Sequence, residues 1–338
     1  MGRTLSEEDV IRLVQSMTGG GPVSGLTVGI GDDAAVIQHP GGRLVVTTDL
    51  LVEGVHFDLS YTSPYDLGWR AMAANLSDVG AMGALPRWGF LSLGLAGPPD
   101  EDFVAALLRG MLDLARPHGL EMAGGDTVSA PQAVINLCLI GAAAGVSPLL
   151  RSGARPGQAV CVTGSLGAAA AGLAWLQAGR DKADPAAAAA VTAHLRPEPR
   201  VAAGRALATS GRVGAMMDLS DGLASDLARL CAASGVGAVV EEAALPISPA
   251  TRALAGQVGG DPLDWAIAGG EDFELLFTCE PGEVNLLAEL VADVNPGLAL
   301  TRVGSVGKGR GVRLKLADGN TREITLCGYD HFRTKPGG

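Results

Sequence analysis

Apolar and polar positions along the first half of the chain switch repeatedly between strand and helix spacing. Residues 27–37 read as strand, interrupted by Gly31-Asp32-Asp33, and residues 43–48 read as a second strand. The turn signal His39-Pro40-Gly41-Gly42 lies between them and predicts a hairpin. Over residues 66–79, Leu67, Ala71, Ala74 and Val79 recur at helical spacing, with Gly80 and Gly83 where a helix would stop. A strand over 88–95, an amphipathic helix over 101–115 and a buried strand over 133–144 follow. Pro148, Gly153, Pro156 and Gly157 cluster at 147–157 and predict a boundary between residues 1–148 and residues 149–338. The second part opens with a buried strand at 159–162 and a buried helix at 168–177. An alanine-rich run at 183–193 reads as an exposed helix. A short strand at 215–217 feeds a helix over 223–231, with Leu223, Leu227 and Leu230 on one stripe. No short-period repeat interrupts this order. The pattern predicts a mixed α/β chain in two domains.

Composition sharpens the picture in three ways. The 338 residues are 47% hydrophobic and 18% charged, which is globular, and only 4% aromatic, so the core is built from Ala, Val, Leu and Ile. The net charge of −11, with lysine confined to Lys182, Lys308, Lys315 and Lys335, argues against nucleic acid or an anionic membrane as partner. If the substrate is a phosphate, divalent cations must supply the missing positive charge. The five cysteines form no Cys-x-x-Cys pair, which predicts reduced, mostly buried thiols and a cytoplasmic protein. Residues 157–179 are free of charge, but the glycines, Thr163 and Ser165 within them favour a buried strand and helix over a membrane span.

The informative residues are carboxylates in apolar or glycine-rich settings. Asp32 and Asp33 sit within Val-Gly-Ile-Gly-Asp-Asp-Ala-Ala, and Asp49 ends Val-Val-Thr-Thr-Asp. Asp78 closes Ala-Asn-Leu-Ser-Asp, and Asp126 lies in Ala-Gly-Gly-Asp-Thr. Asp218 and Asp221 frame Asp-Leu-Ser-Asp-Gly, and Glu271 and Asp272 follow Ala-Gly-Gly. An ionised carboxylate beside buried strands is costly unless it is paired or bound to metal. Cations near in sequence are too few to pair them all, whereas magnesium takes hard oxygen ligands and bridges carboxylates to phosphates. Thr47 and Thr48 would add hydroxyl or carbonyl oxygens. Each motif alone also has a plain reading: Asp-Gly is a common turn, and Asp218 or Ser220 would serve as a helix cap. Gly29-x-Gly31-x-x-Ala34, with Glu53 downstream, resembles a dinucleotide fingerprint, but Pro40-Gly41-Gly42 stands where that motif requires a helix. The segment at 304–309, Gly-Ser-Val-Gly-Lys-Gly, lacks the Walker spacing and reads as a loop. No Ser-His-Asp set or zinc-spaced cluster occurs, so neither a general base nor a covalent nucleophile is expected.

Taken in order, the motifs resemble the thiamine-monophosphate kinase family. They are GIGDDAAVI (29–37), TTDLLVEGVHFDL (47–59), NLSDVGAMGALP (75–86), GGDT (124–127), RSGARPG (151–157), DLSDGLASDL (218–227), GGEDFELLF (269–277) and GYDHF (328–332). Several are shared with the wider superfamily of aminoimidazole ribonucleotide synthetase and selenophosphate synthetase. The resemblance implies an N-terminal α+β domain with a mixed sheet that dimerises, a C-terminal α/β domain, and transfer of the γ-phosphate of ATP to thiamine monophosphate with several Mg²⁺. It implies magnesium-site positions at Asp33, Thr47, Thr48, Asp49, Asp78, Asp126, Asp218 and Asp221. It implies ATP contacts at Gly125, Asp126, Arg151 and Ser220, and substrate contacts at His56, Glu271 and Tyr329. Tyr329 stands where the family has tryptophan and keeps an aromatic face, and Gln158 stands where an acid is expected. A cationic thiazolium suits an aromatic face and a carboxylate.

Two other functions fit parts of the pattern: a ligase-type synthetase of the same superfamily, and a nucleotide-binding regulator without turnover. The absence of a Cys-rich N-terminal loop argues against selenophosphate synthesis. The full set of carboxylates argues against a regulator, which need not keep every ligand.

Overall fold

The computed structural model describes residues 25–98 and 100–324, together with Asp9, Ile11, Arg12 and Ser16. Tyr329 and the rest of the segment at 328–332 lie outside the described residues.

In the first half the strands β1 (Leu26–Val28), β2 (Ala35–His39) and β3 (Gly42–Val52) lead to helix α1 (Pro64–Ala81), followed by β4 (Leu85–Leu95), α2 (Glu101–Ala115), β5 (Glu121–Ser129) and β6 (Val134–Ala142). They form one six-stranded sheet in the order β1-β2-β3-β6-β4-β5. All pairings are antiparallel except β4 with β5. The predicted hairpin is β2–β3, with His39 opposite Gly42. Side chains alternate across the sheet. Val45, Leu51, Leu93, Ile135, Leu137 and Leu139 face the core against α1 and α2, with Leu67, Leu76, Leu107 and Met111. The other face is left open by the described residues. Strand β6 is therefore half-buried, not buried on both sides as its apolar run suggests. Helix α1 starts where Ser63 accepts the Asp66 amide and Pro64 occupies the first turn.

The second half runs β7 (Ala159–Thr163), α3 (Ala168–Gln177), α4 (Ala188–Leu195), α5 (Val201–Ser210), β8 (Val213–Asp218), α6 (Leu223–Ser234), β9 (Gly237–Glu241), α7 (Pro249–Val258), α8 (Pro262–Ala268), β10 (Leu275–Cys279), α9 (Val284–Val294), β11 (Leu300–Gly307), β12 (Gly311–Lys315) and β13 (Thr321–Glu323). Its seven-stranded sheet has the order β13-β12-β9-β11-β7-β10-β8. Strands β7 and β10 are buried along their whole length, because α6 and α8 cover one face and α5 and α9 the other.

Two further sequence readings differ from the structure. The alanine-rich run is not an exposed helix: α4 buries Ala190, Val191, His194 and Leu195 against α3. Alanine gives little contrast between faces, so periodicity could not reveal the buried one. Gly304 to Gly307 is strand, not loop, and a Cβ on Gly304 would meet the Val239 carbonyl oxygen at 2.1 Å, so its glycine serves strand packing.

Helix α1 joins the two halves. Its residues Asp66, Trp69, Arg70, Ser77 and Gly80 recur at helical spacing and meet the second half. Asp66 accepts from Arg196 at 2.5 Å, and the Trp69 indole donates to the Pro197 carbonyl at 2.8 Å. Ser77 donates to Asp218 at 2.8 Å. Where α1 crosses α5, a Cβ on Gly204 would lie 2.0 Å from the Gly80 carbonyl oxygen, so the two backbones touch.

Candidate active site

Three of the predicted carboxylates converge at this joint. Asp33, Asp78 and Asp218 each offer an oxygen, and these oxygens lie within 4.8 Å of one another. Asp33 comes from the turn before β2, Asp78 from the last turns of α1, and Asp218 from the end of β8. Asp218 is therefore not a helix cap: α6 starts at Leu223 after Gly222, with no side-chain cap.

Their partners supply little positive charge. Arg151 holds one oxygen of Asp33 through Nε at 2.9 Å and a terminal nitrogen at 2.5 Å. The other Asp33 oxygen is buried without a hydrogen-bond partner. The Thr47 hydroxyl donates to Asp78 at 2.5 Å. Burial pushes the Asp33 carboxyl well up, with Asp218 adding to the rise and Arg151 opposing it. Burial, then Asp49, Asp218 and Asp33, push Asp78 well up. Burial, with Asp218 and Asp221, lifts Asp49 to about 6. Burial also raises Asp218. Buried carboxylates repelling one another, one with an orphaned oxygen, fit a bound hard divalent cation.

The surrounding loops are braced. Asp226 accepts the backbone N–H groups of Ser220 at 3.1 Å and Asp221 at 3.0 Å. Arg229 pairs with both Asp221 and Asp226. The backbone amide of Arg151 donates to Asp32. Asp272, grouped with Glu271 by sequence, instead accepts from the amides of Gly167 and Ala169 and so caps α3.

Thr48 and Asp126 lie elsewhere. Both occupy the open face of the first sheet, Thr48 on β3 and Asp126 on the edge strand β5. The row Leu50–Asn136–Ser92–Asp126 places three strand spacings between β3 and Asp126. At about 4.8 Å each, that is roughly 14 Å. Gly125 lies beside Asp126 on the same strand. Within one chain Asp126 and Gly125 do not meet the buried cluster.

The predicted substrate residues His56 and Glu271 do come together. His56 follows β3 in a turn, and its Nδ1 accepts the Val52 amide at 3.0 Å, which leaves the ring proton on Nε2 in the neutral form. Arg70 bridges the two segments, donating to the His56 carbonyl at 3.2 Å and to Glu271 at 2.5 Å. Tyr61 feels the charges of both Arg70 and Glu271, and lines a cleft of about 260 Å³ with Leu59, Thr62, Phe103 and Lys182. Sequence reading missed Arg70, His194, Arg229 and Asp226. The legible signal for Arg70 was a lone arginine inside Leu67-Gly68-Trp69-Arg70-Ala71-Met72-Ala73, which demands a buried acid.

The sequence and fold match known proteins over most of their length. The family described as AIR synthase related protein, N-terminal domain, matches residues 31–147, and its C-terminal counterpart matches residues 155–317. The chain is 37% identical over 318 residues to the thiamine-monophosphate kinase of Bacillus subtilis, covering 92% of this chain and 95% of that one. It is 40% identical over 311 residues to that of Escherichia coli K12, covering 91% and 92%. The solved structure "AaThiL complexed with AMPPCP and TMP" superposes with a TM-score of 0.84 at 32% identity, covering 98% of this chain and 99% of that one. By sequence, domain content and fold, the chain belongs to the thiamine-monophosphate kinase family of AIR synthase-related proteins.

Proposed function

We propose that this chain transfers the γ-phosphate of ATP to thiamine monophosphate, giving thiamine diphosphate and ADP. The observation that carries the reading is the cluster of Asp33, Asp78 and Asp218, buried at the junction of the two halves, where among the described residues only Arg151 forms an ion pair with it. Asp33, Thr47, Asp49, Asp78 and Asp218 would hold Mg²⁺, with Asp221 beside them. Bound there, Mg²⁺ supplies positive charge that offsets repulsion between donor and acceptor phosphates. Arg151 orients Asp33, while Asp226 and Arg229 set the loop carrying Ser220 and Asp221. The acceptor is a phosphate monoester with a second pKa of about 6, so at neutral pH it is mostly a dianion. One of its oxygens attacks the γ-phosphorus directly while the β–γ bridging oxygen leaves with ADP. No side chain need remove a proton, and catalysis is positioning plus charge neutralisation. His56, Glu271 and Tyr329 would contact the thiamine moiety.

The reading extends to a homodimer, with residues 1–148 as the dimerising domain and residues 149–338 completing the nucleotide site. The open face of the first sheet carries Leu50, Trp88, Phe90 and Val128, each at least 39% exposed. Such an apolar face is expected to be covered. A second copy laid across it would bring its Gly125 and Asp126 toward Thr48, closing the roughly 14 Å that separates them within one chain. Reduced cysteines and the absence of a membrane-length apolar helix among the described residues accord with a cytoplasmic enzyme. The test is ADP release with ATP, Mg²⁺ and thiamine monophosphate as sole acceptor. Release that is independent of thiamine monophosphate would dismiss the reading. Trp88→Glu is expected to give a monomer by sedimentation and to lose turnover; an active monomer would remove the dimer.

A further inference from the structure

We infer that Arg70 and His194 are positioning residues that hold the Glu271 carboxylate as the anionic contact for the acceptor's cationic ring. The inference rests on the thiamine monophosphate reading above. Glu271 is one of two non-glycine residues with positive φ among the described residues, at 65°, the other being Phe273 at 48°. A glutamate in the left-handed region carries strain that glycine would avoid, and such strain concentrates at functional sites. The backbone is pinned there: the Glu271 amide donates to the Ser220 carbonyl at 2.8 Å and that of Phe273 to Leu219 at 2.9 Å.

The side chain is then held by Arg70 and backed by the buried His194 ring. One carboxylate oxygen takes the Arg70 guanidinium at 2.5 Å, and the other faces Nδ1 of His194 at 3.5 Å. Arg70 and His194 are each 2% exposed, whereas Glu271 remains one-third exposed and open to a ligand. Both ring nitrogens of His194 are buried without a hydrogen-bond partner. Burial, with Arg70 beside it, pushes His194 down to about 4, so the ring is neutral and leaves the carboxylate's charge intact. Burial alone would raise Glu271, but the Arg70 guanidinium outweighs it and holds the carboxyl below its ordinary value. A buried ion pair is weak grounds for stability, since a well-packed apolar pair often serves as well. Here the same guanidinium also holds the His56 carbonyl, so one side chain sets the spacing of two acceptor-facing segments from opposite halves.

The test is a double-mutant cycle on steady-state kinetics with wild type, Arg70→Met, His194→Asn, Glu271→Gln and the two doubles with Glu271→Gln. Arg70→Met is expected to raise KM for thiamine monophosphate at least about 10-fold while KM for ATP stays within about 2-fold. His194→Asn should do the same more weakly. In the Glu271→Gln background His194→Asn should add no further loss, and Arg70→Met should add clearly less than it costs in wild type, keeping only the part that its bond to the His56 carbonyl supplies. Effects that multiply in that background, that fall equally on both substrates, or that are absent overturn the inference. Should Arg70→Met fail to fold, Arg70→Lys and His194→Asn carry the same cycle. A wild-type chain that releases no ADP with thiamine monophosphate overturns the acceptor reading and this inference with it. An active wild type with multiplying variants overturns this inference alone.

Discussion

Gly204→Ala places one methyl group at the joint between the halves, far from any phosphate. Its Cβ would lie 2.0 Å from the Gly80 carbonyl oxygen. Carbon–oxygen contacts settle at about 3.3 Å or more, so α1 and α5 must part by roughly 1.3 Å. Gly80 is two residues from Asp78, which must stay beside Asp218 across the same joint. A misplacement of about 1 Å from a remote mutation is enough to cost about 100-fold in rate, while overpacking of this kind costs about 1–3 kcal/mol of stability. The expected outcome is a folded protein with kcat down at least about 10-fold and a lower unfolding midpoint. Gly256→Ala on α7 is the control, because its Cβ would meet nothing within 4 Å. It should leave kcat unchanged and stabilise by up to about 1 kcal/mol through helix propensity. The assay is ADP release at saturating substrates, paired with thermal unfolding of both variants. Full kcat in Gly204→Ala would refute the claim that the joint sets the carboxylate geometry.

Asp78→Asn and Asp218→Asn should each lower kcat more than about 10-fold, a loss above about 1.4 kcal/mol. In metal-free buffer each should raise the unfolding midpoint by removing a repelling charge; a drop in midpoint would show that the repulsion is not felt. Turnover at fixed ATP should keep rising as Mg²⁺ passes one equivalent, whereas a plateau there would count against more than one metal. His194 lies near pH 4 in the folded chain against 6.5 ordinarily, so the unfolded chain holds the extra proton between these values. Stability is therefore complete above about pH 6.5 and falls by up to about 3 kcal/mol toward pH 4. Urea unfolding of wild type and His194→Asn at pH 7.5 and 4.5 checks this, and equal pH dependence in the two would dismiss it.

Much of this was written where local chemistry and long-range demand coincide. Helix α2 runs from Glu101 to Ala115 as the spacing predicts, because Asp100 caps it and its apolar stripe has a sheet to face. Asp78 and Asp218 were legible because carboxylates amid alanine, leucine and methionine need a reason to be there. The partners of those residues were not legible. Arg70 and Glu271 are 201 positions apart, and only the packing of α1 across the second half brings them together. His194 was hidden in an alanine-rich helix with no contrast between its faces. Asp126 was expected beside Asp78 because motif order carries no information about which face of a sheet a residue occupies; strand register does.

The single helix that carries Arg70 and Asp78 also acts as a ruler. Eight residues at about 1.5 Å each set these two positions roughly 12 Å apart along its axis. One end tethers Glu271 and the other stands among the clustered aspartates. Because a helix neither stretches nor slips, that distance becomes a length requirement on any acceptor that engages both ends. If the acceptor engages both ends as proposed, a bare phosphate would reach only one of them, and selection by length would be built into the backbone before any side chain is consulted.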